Sequence, residues 1–177
     1  MRHKKSNPML VVYASWTGSS LEISRHIANV LNQNKYNVTC IDARDNPDIA
    51  KYQSLIIGGG IRGGCFHPEL IRFVTKNEEK LSQLTIAYFV VCLTMRENNE
   101  INRCSASKFI QTLQQKAPMI NPVSVGLFGG LMNYDKFSGV MKLFVRMLHF
   151  PQGDFRDWKA IEQWALHVAP MLTNIRD

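Results

Sequence analysis

Six consecutive residues, Ser15-Trp16-Thr17-Gly18-Ser19-Ser20, place four hydroxyls and a glycine directly ahead of a helix-forming stretch. Hydroxyl and backbone N–H donors then gather where a helix dipole is positive, which is the chemistry of an anion site. The loop holds no Lys or Arg. A bound phosphate would therefore rest on about five or six hydrogen bonds to a charged acceptor, each worth roughly 1.5–3 kcal/mol. The same composition also makes an ordinary capped turn, and six residues do not decide between the two. The pattern GxxxxGK followed by Ser or Thr is absent, which disfavours a nucleoside-triphosphate pocket.

A second cluster, Gly58-Gly59-Gly60-Ile61-Arg62-Gly63, matches G-x-G-x-x-G after a strand-like run. It is not read as a dinucleotide fingerprint. There the last glycine lies in the opening turn of a helix, whereas here Gly64-Cys65-Phe66-His67 intervene before Pro68 starts one. Glu78 and Glu79, the acids about 20 positions on, fall at a helix end instead of a strand tip. His67 is able to exchange a proton, or simply to begin a helix.

The elements that position these residues alternate. Met9 to Ala14 is a short apolar run without period two, the pattern of a strand buried on both faces. Leu21 to Gln33 sets Leu21, Ile23, Ile27, Val30 and Leu31 at near-helical spacing. Further strands are expected over Val38 to Asp42, Ser54 to Gly58, Thr85 to Leu93 and Val123 to Phe128. Helices are expected from Pro68 to about Leu81, Arg103 to Lys116 and Trp158 to Leu172. Such alternation predicts a parallel sheet with right-handed crossovers. The hydroxyl loop then falls at the carboxyl end of the first strand, where doubly wound sheets bind ligands, and this favours the anion site over the capped turn.

The chain of 177 residues suits one domain over 9–177, with 1–8 read as a loose extension and not a signal peptide. No apolar run reaches the ~18 residues needed to span a bilayer. Cys40, Cys65, Cys92 and Cys104 form no CxxC pair, so no metal is expected and a reduced, cytoplasmic setting is. A net charge of +7 suits an anionic partner, whether membrane, nucleic acid, polycarboxylate or acidic protein.

The loop resembles the phosphate motif S/T-x-T-G-x-S/T of the flavodoxins, matched at Ser15, Thr17, Gly18 and Ser20. This resemblance implies a flavodoxin-like, doubly wound five-stranded parallel sheet of order 2-1-3-4-5, helices on both faces, and FMN as cofactor. It implies cofactor contacts from three loops: Ser15, Trp16, Thr17, Gly18, Ser19 and Ser20; Gly59, Gly60, Ile61, Arg62, Gly63 and Gly64; and Leu93, Thr94, Met95 and Arg96. The glycines of the second loop would leave one face of the flavin ring open. Arg62 and Arg96 would be the cations beside the ring, or solvated loop residues, and with His67 they are the candidate catalytic groups.

Within that superfamily the chain resembles the flavodoxin-domain group that includes the menaquinone-dependent protoporphyrinogen oxidases of bacterial haem synthesis. The likeness is carried by Ile57-Gly58 with Ile61-Arg62, by His67, by Leu93-Thr94-Met95-Arg96, by Gly129-Gly130-Leu131 and by Asp154-Phe155-Arg156-Asp157-Trp158. Three departures bear on the substrate: Gly63 stands where those oxidases have an aromatic residue, Thr17 stands where they have an acid, and the insertion is shorter and differently charged. The resemblance implies a quinone or redox protein as electron partner and a porphyrinogen as substrate, with no nucleic acid.

Residues 129–156 interrupt the alternation, far beyond the usual βα loop of two to six residues. Phe137 to Phe150 reads as a helix with Val140, Leu143, Phe144 and Met147 among its apolar positions and Lys142, Arg146 and His149 toward one side. It would pack on its own domain, contact the inner face of a membrane peripherally, or join a homo-oligomer. Three functions follow: a flavoenzyme feeding a quinone, a flavodoxin carrier, or a binding module without catalysis. Carriers of that family are usually acidic, which the basic charge opposes.

Overall fold

A computed structural model describes residues 8–136, 139–147 and 151–173. The chain runs β1 (Pro8–Ala14), α1 (Ser19–Gln33), β2 (Asn37–Asp42), β3 (Ser54–Arg62), β4 (Cys65–Phe66), α2 (Pro68–Lys76) and α3 (Glu78–Ser82). It continues through β5 (Thr85–Val91), α4 (Glu100–Lys116), β6 (Ser124–Phe128), β7 (Leu131–Met132), α5 (Gly139–Met147), β8 (Gly153–Asp154) and α6 (Trp158–Thr173). Of the extension expected over 1–8, only Pro8 is described, and it opens β1.

Strands β2-β1-β3-β5-β6 lie side by side and parallel, which is the expected order 2-1-3-4-5 once the short β4 is set aside. The lack of alternation in β1 follows from burial on both faces. Met9, Val11 and Tyr13 pack with Ile23, Ile27 and Leu31 of α1 and Ile161, Ala165 and Val168 of α6. Leu10, Val12 and Ala14 pack with Leu70 and Phe73 of α2 and Ile110 and Leu113 of α4. Each fully buried aliphatic or aromatic side chain of these two layers contributes roughly 1.5–3 kcal/mol, which makes the sheet a rigid base for its loops.

Three elements differ from expectation. β3 runs on to Arg62 instead of stopping at Gly58, because Gly59 and Gly60 are held in register by Ala14, Val90 and Val91 of the neighbouring strands. Glycine is a weak strand former, and here the ladders on both sides override that. The helix expected from Pro68 to Leu81 breaks at Asn77, whose side-chain amide and backbone N–H both donate to the Phe73 carbonyl. Strand β5 ends at Val91, and Leu93–Arg96 form a tight 3-10 turn.

The insertion has a neck. β7 and β8 pair antiparallel, Leu131 with Asp154 and Met132 with Gly153, so residues 129–156 leave and return at one point. Of the helix expected from Phe137 to Phe150, Gly139–Met147 forms α5, while 137–138 and 148–150 lie outside the described residues.

Candidate functional site

Because the sheet is parallel, every βα connection emerges on one edge, and β1/β3 is where the order of connections reverses. The hydroxyl loop therefore stands beside the ends of β3 and β5 and the start of the insertion. Ser15 Oγ accepts the Gly18 N–H at 3.0 Å, which folds the loop on itself. Gly18 adopts φ 97°, a left-handed conformation that favours glycine, and leads into α1 without any side chain capping the helix. Such a start leaves first-turn N–H groups without intrahelical partners.

The second expected loop is a hairpin. Ile61 pairs with Phe66 and Arg62 with Cys65, and Gly63 and Gly64 form a two-residue turn at φ 57° and 80°. Both positions demand the left-handed region, as a type I′ turn does, and a Cβ at either would meet nothing within 4 Å. Glycine is thus required there by backbone dihedral. At Gly59 the reason is packing: a Cβ would stand 2.6 Å from the Ala14 carbonyl oxygen. Gly60 faces the hydroxyl loop, since a Cβ there would stand 2.9 Å from Ser20 Oγ and 3.8 Å from Trp16 Cδ1.

Side chains at this edge form a cluster. The Trp16 ring packs on the His67 ring with centroids 4.3 Å apart, and the Arg62 guanidinium lies over Trp16 at 5.3 Å. His67 Nδ1 accepts the Glu69 N–H at 3.2 Å, capping α2. That fixes the neutral tautomer with its proton on Nε2. Burial lowers the His67 pKa from 6.5, as does the nearby Arg44 charge, with Asp42 and Glu69 opposing. Asp42, at the end of β2, is bound by Arg44 through both carboxylate oxygens. Burial alone would raise the Asp42 carboxyl, but the bonds and charge of Arg44 outweigh it and hold it below 3.8.

The third loop presents fewer side chains than expected. Met95 is buried in the core layer with Leu10 and Val12, so its side chain points away from the solvent edge. Leu93 and Thr94 are half-buried, and the exposed Arg96 pairs with Glu97 at 3.7 Å. Ile61 packs against the same core layer.

Sequence reasoning missed the fourth contributor, the start of the insertion. Leu131 N–H donates to Ser19 Oγ at 3.0 Å. A Cβ on Gly130 would stand 3.1 Å from Val91 Cγ1 and 3.6 Å from Ser19 Oγ, and one on Gly129 would stand 2.1 Å from the Phe155 carbonyl oxygen. The Gly129-Gly130 pair was the available signal, but nothing in it names Ser19 as the residue approached. The Asp42 and Arg44 pair beside His67 was likewise not foreseen. A separate cavity of about 370 Å³, beside Gln53, Thr85 and Val123, lies at the opposite, amino ends of the strands.

This donor set fits a phosphate monoester. It offers an uncapped helix start, the hydroxyls of Thr17 and Ser20, no carboxylate within the loop, and glycine at position 60 where a Cβ would press on Ser20. Among the described residues no group of three or more His, Cys, Asp or Glu side chains is placed to hold a metal ion. Among them, too, no helix is long and apolar enough to cross a membrane.

The family pattern of the flavodoxin domain matches residues 10–158. A protoporphyrinogen IX dehydrogenase (quinone) of Leishmania major is 23% identical, over 94% of this chain and 77% of its own. The protein of the same name from Escherichia coli (strain K12) is 20% identical, over 90% of this chain and 93% of its own. Among solved structures, oxidised flavodoxin 1 and flavodoxin 2 of Bacillus cereus superpose with TM-scores of 0.59 and 0.61 at 16% and 17% identity. Each covers 93% of this chain and 99% of the flavodoxin, a likeness of fold.

Proposed function

The chain belongs to the flavodoxin-domain family and its cofactor is FMN; from that premise we propose an oxidoreductase that takes electrons from a porphyrinogen or similar polycarboxylate and passes them to a quinone. The observation that carries this reading is the extent of the likeness to two proteins named as quinone-linked protoporphyrinogen dehydrogenases. It spans at least 90% of the chain, too much to leave the insertion out. The net charge of +7 supports an anionic substrate.

When bound, FMN supplies the electron-accepting chemistry. The chain's own residues would do the rest. Ser15 shapes the hydroxyl loop, Thr17, Ser20 and the first turn of α1 hold the phosphate, and Gly60 leaves room for both. Arg62, Arg96 and Arg44 offer cations along the same edge to carboxylates of a substrate, and His67 offers a neutral Nε2–H as a hydrogen-bond donor. On α5, Val140, Leu143 and Met147 are 85%, 69% and 64% exposed, at positions that share one face. That stripe supports a peripheral contact with a membrane holding the quinone.

The test is anaerobic. Protein loaded with FMN is mixed with protoporphyrinogen and its absorbance near 450 nm followed; bleaching, then recovery on adding a quinone, is the expected result. Failure of the first step removes the porphyrinogen assignment. Bleaching by a reduced redox protein alone would make the chain a carrier.

A further inference from the structure

We infer that Ser19 couples the phosphate loop to the neck of the insertion, so that FMN binding sets the position of the neck strands, 129–132 and 153–156. The inference rests on the reading that the phosphate occupies the Ser15–Ser20 loop. Ser19 stands at a variable position of the phosphate motif, yet its side chain is committed: it is 8% exposed and its oxygen accepts the Leu131 N–H across 112 residues of sequence. With that acceptor role filled, the hydroxyl proton remains to be donated, and the loop mouth is the adjacent place where an anion would take it. A hydroxyl that donates to a charged acceptor becomes a better acceptor itself, so phosphate in the loop strengthens the bond to Leu131.

The second strand of the neck is tied to the same helical turn. Arg156 pairs with Glu22 in the first turn of α1 and with Asp154 of β8 at 2.6 Å, its side chain only 8% exposed. Phe155 N–H donates to the Gly130 carbonyl at 3.1 Å, closing the neck between these two anchors. Both strands that support the insertion therefore hang from the turn that would bind the phosphate. Any free energy by which the phosphate orders this turn acts on the neck, and by linkage the neck acts equally on FMN affinity. The neck from which α5 projects is thereby held more firmly in the loaded protein than in the apoprotein.

Hydrogen exchange of the full chain tests this with three samples: apoprotein, protein with FMN, and protein with riboflavin, which lacks the phosphate. FMN is expected to slow exchange in peptides covering Gly129 to Met132 and Gly153 to Arg156 at least tenfold, and riboflavin to leave it near the apo rate. Ser19→Ala should abolish the FMN-dependent slowing at Leu131. Glu22→Gln, which leaves every loop hydroxyl in place, should reduce it at Phe155 and Arg156, and it serves if the serine variant does not fold. Equal neck exchange with and without FMN, in a protein that prefers FMN to riboflavin, overturns the coupling alone. Equal affinity for the two flavins overturns the phosphate-loop reading beneath it. Equal protection by both flavins routes any coupling through the ring and overturns the role of Ser19.

Discussion

Replacing Gly59 by alanine tests why the glycine run stands where it does. The new Cβ would lie 2.6 Å from the Ala14 carbonyl oxygen and 3.5 Å from the Ala14 nitrogen. Ordinary contact begins at 3.4 Å, and the atom met is backbone, so no rotamer change relieves it. β3 cannot slide away, because Gly59 is also in register with Val90 of β5 on its other side. Overpacking of this kind costs about 1–3 kcal/mol, and a weakened ladder bond adds roughly 0.5–1.5 kcal/mol. The sum, about 1.5–4.5 kcal/mol, is a large share of the roughly 5–15 kcal/mol that stabilises a typical domain. Ala14 immediately precedes Ser15, so the displaced backbone is the root of the hydroxyl loop, and FMN affinity should fall about tenfold or more with it. Urea denaturation of the apoprotein gives the stability term, and fluorescence titration with FMN gives the affinity. Gly63→Ala is the control: it meets no atom within 4 Å and carries only the strain of φ 57°, about 1 kcal/mol. If Gly59→Ala costs no more than Gly63→Ala, the packing account of this strand is wrong.

His67 should make stability depend on pH. Its folded pKa lies below 6.5, so folding favours the neutral ring; the contribution is full above about 6.5 and is lost as pH falls through the lowered value. Urea midpoints between pH 8 and 5 should drop more steeply for the native chain than for His67→Asn, which keeps a capping acceptor and cannot titrate. Arg156→Met should cost about 1–3 kcal/mol in thermal unfolding by removing the charged bonds to Glu22 and Asp154, and should flatten the salt dependence; unchanged melting would show the pairs to be idle. Alkylation of the native protein at pH 8 should modify exposed Cys65 and Cys104 first. Cys40, whose thiol burial pushes up to about 11, and buried Cys92 should react at least about tenfold more slowly. Equal rates at all four would contradict this burial pattern.

The sheet was legible in the chain because it rests on short-range information. Met9 to Ala14 is apolar at every position, and only a strand covered on both faces tolerates that; its two sets of side chains indeed enter different core layers. The hydroxyl loop was legible for a similar reason, since its donors lie within six residues and its place is set by the strand before it. Three things were decided by tertiary structure. Two glycines of one loop serve different needs, close packing at Gly59 within β3 and left-handed backbone at Gly63 in the turn beyond it, and only the neighbouring strands and the hairpin separate these. Met95 and Arg96 are adjacent in sequence, yet one enters the core and the other the solvent edge. Ser19 meets Leu131 because β1 and β6 end on the same edge of a parallel sheet, a meeting of residues 112 positions apart that no local pattern encodes. Local periodicity and turn chemistry are written in consecutive residues; the partners across a site depend on strand order, which emerges only when the whole core packs.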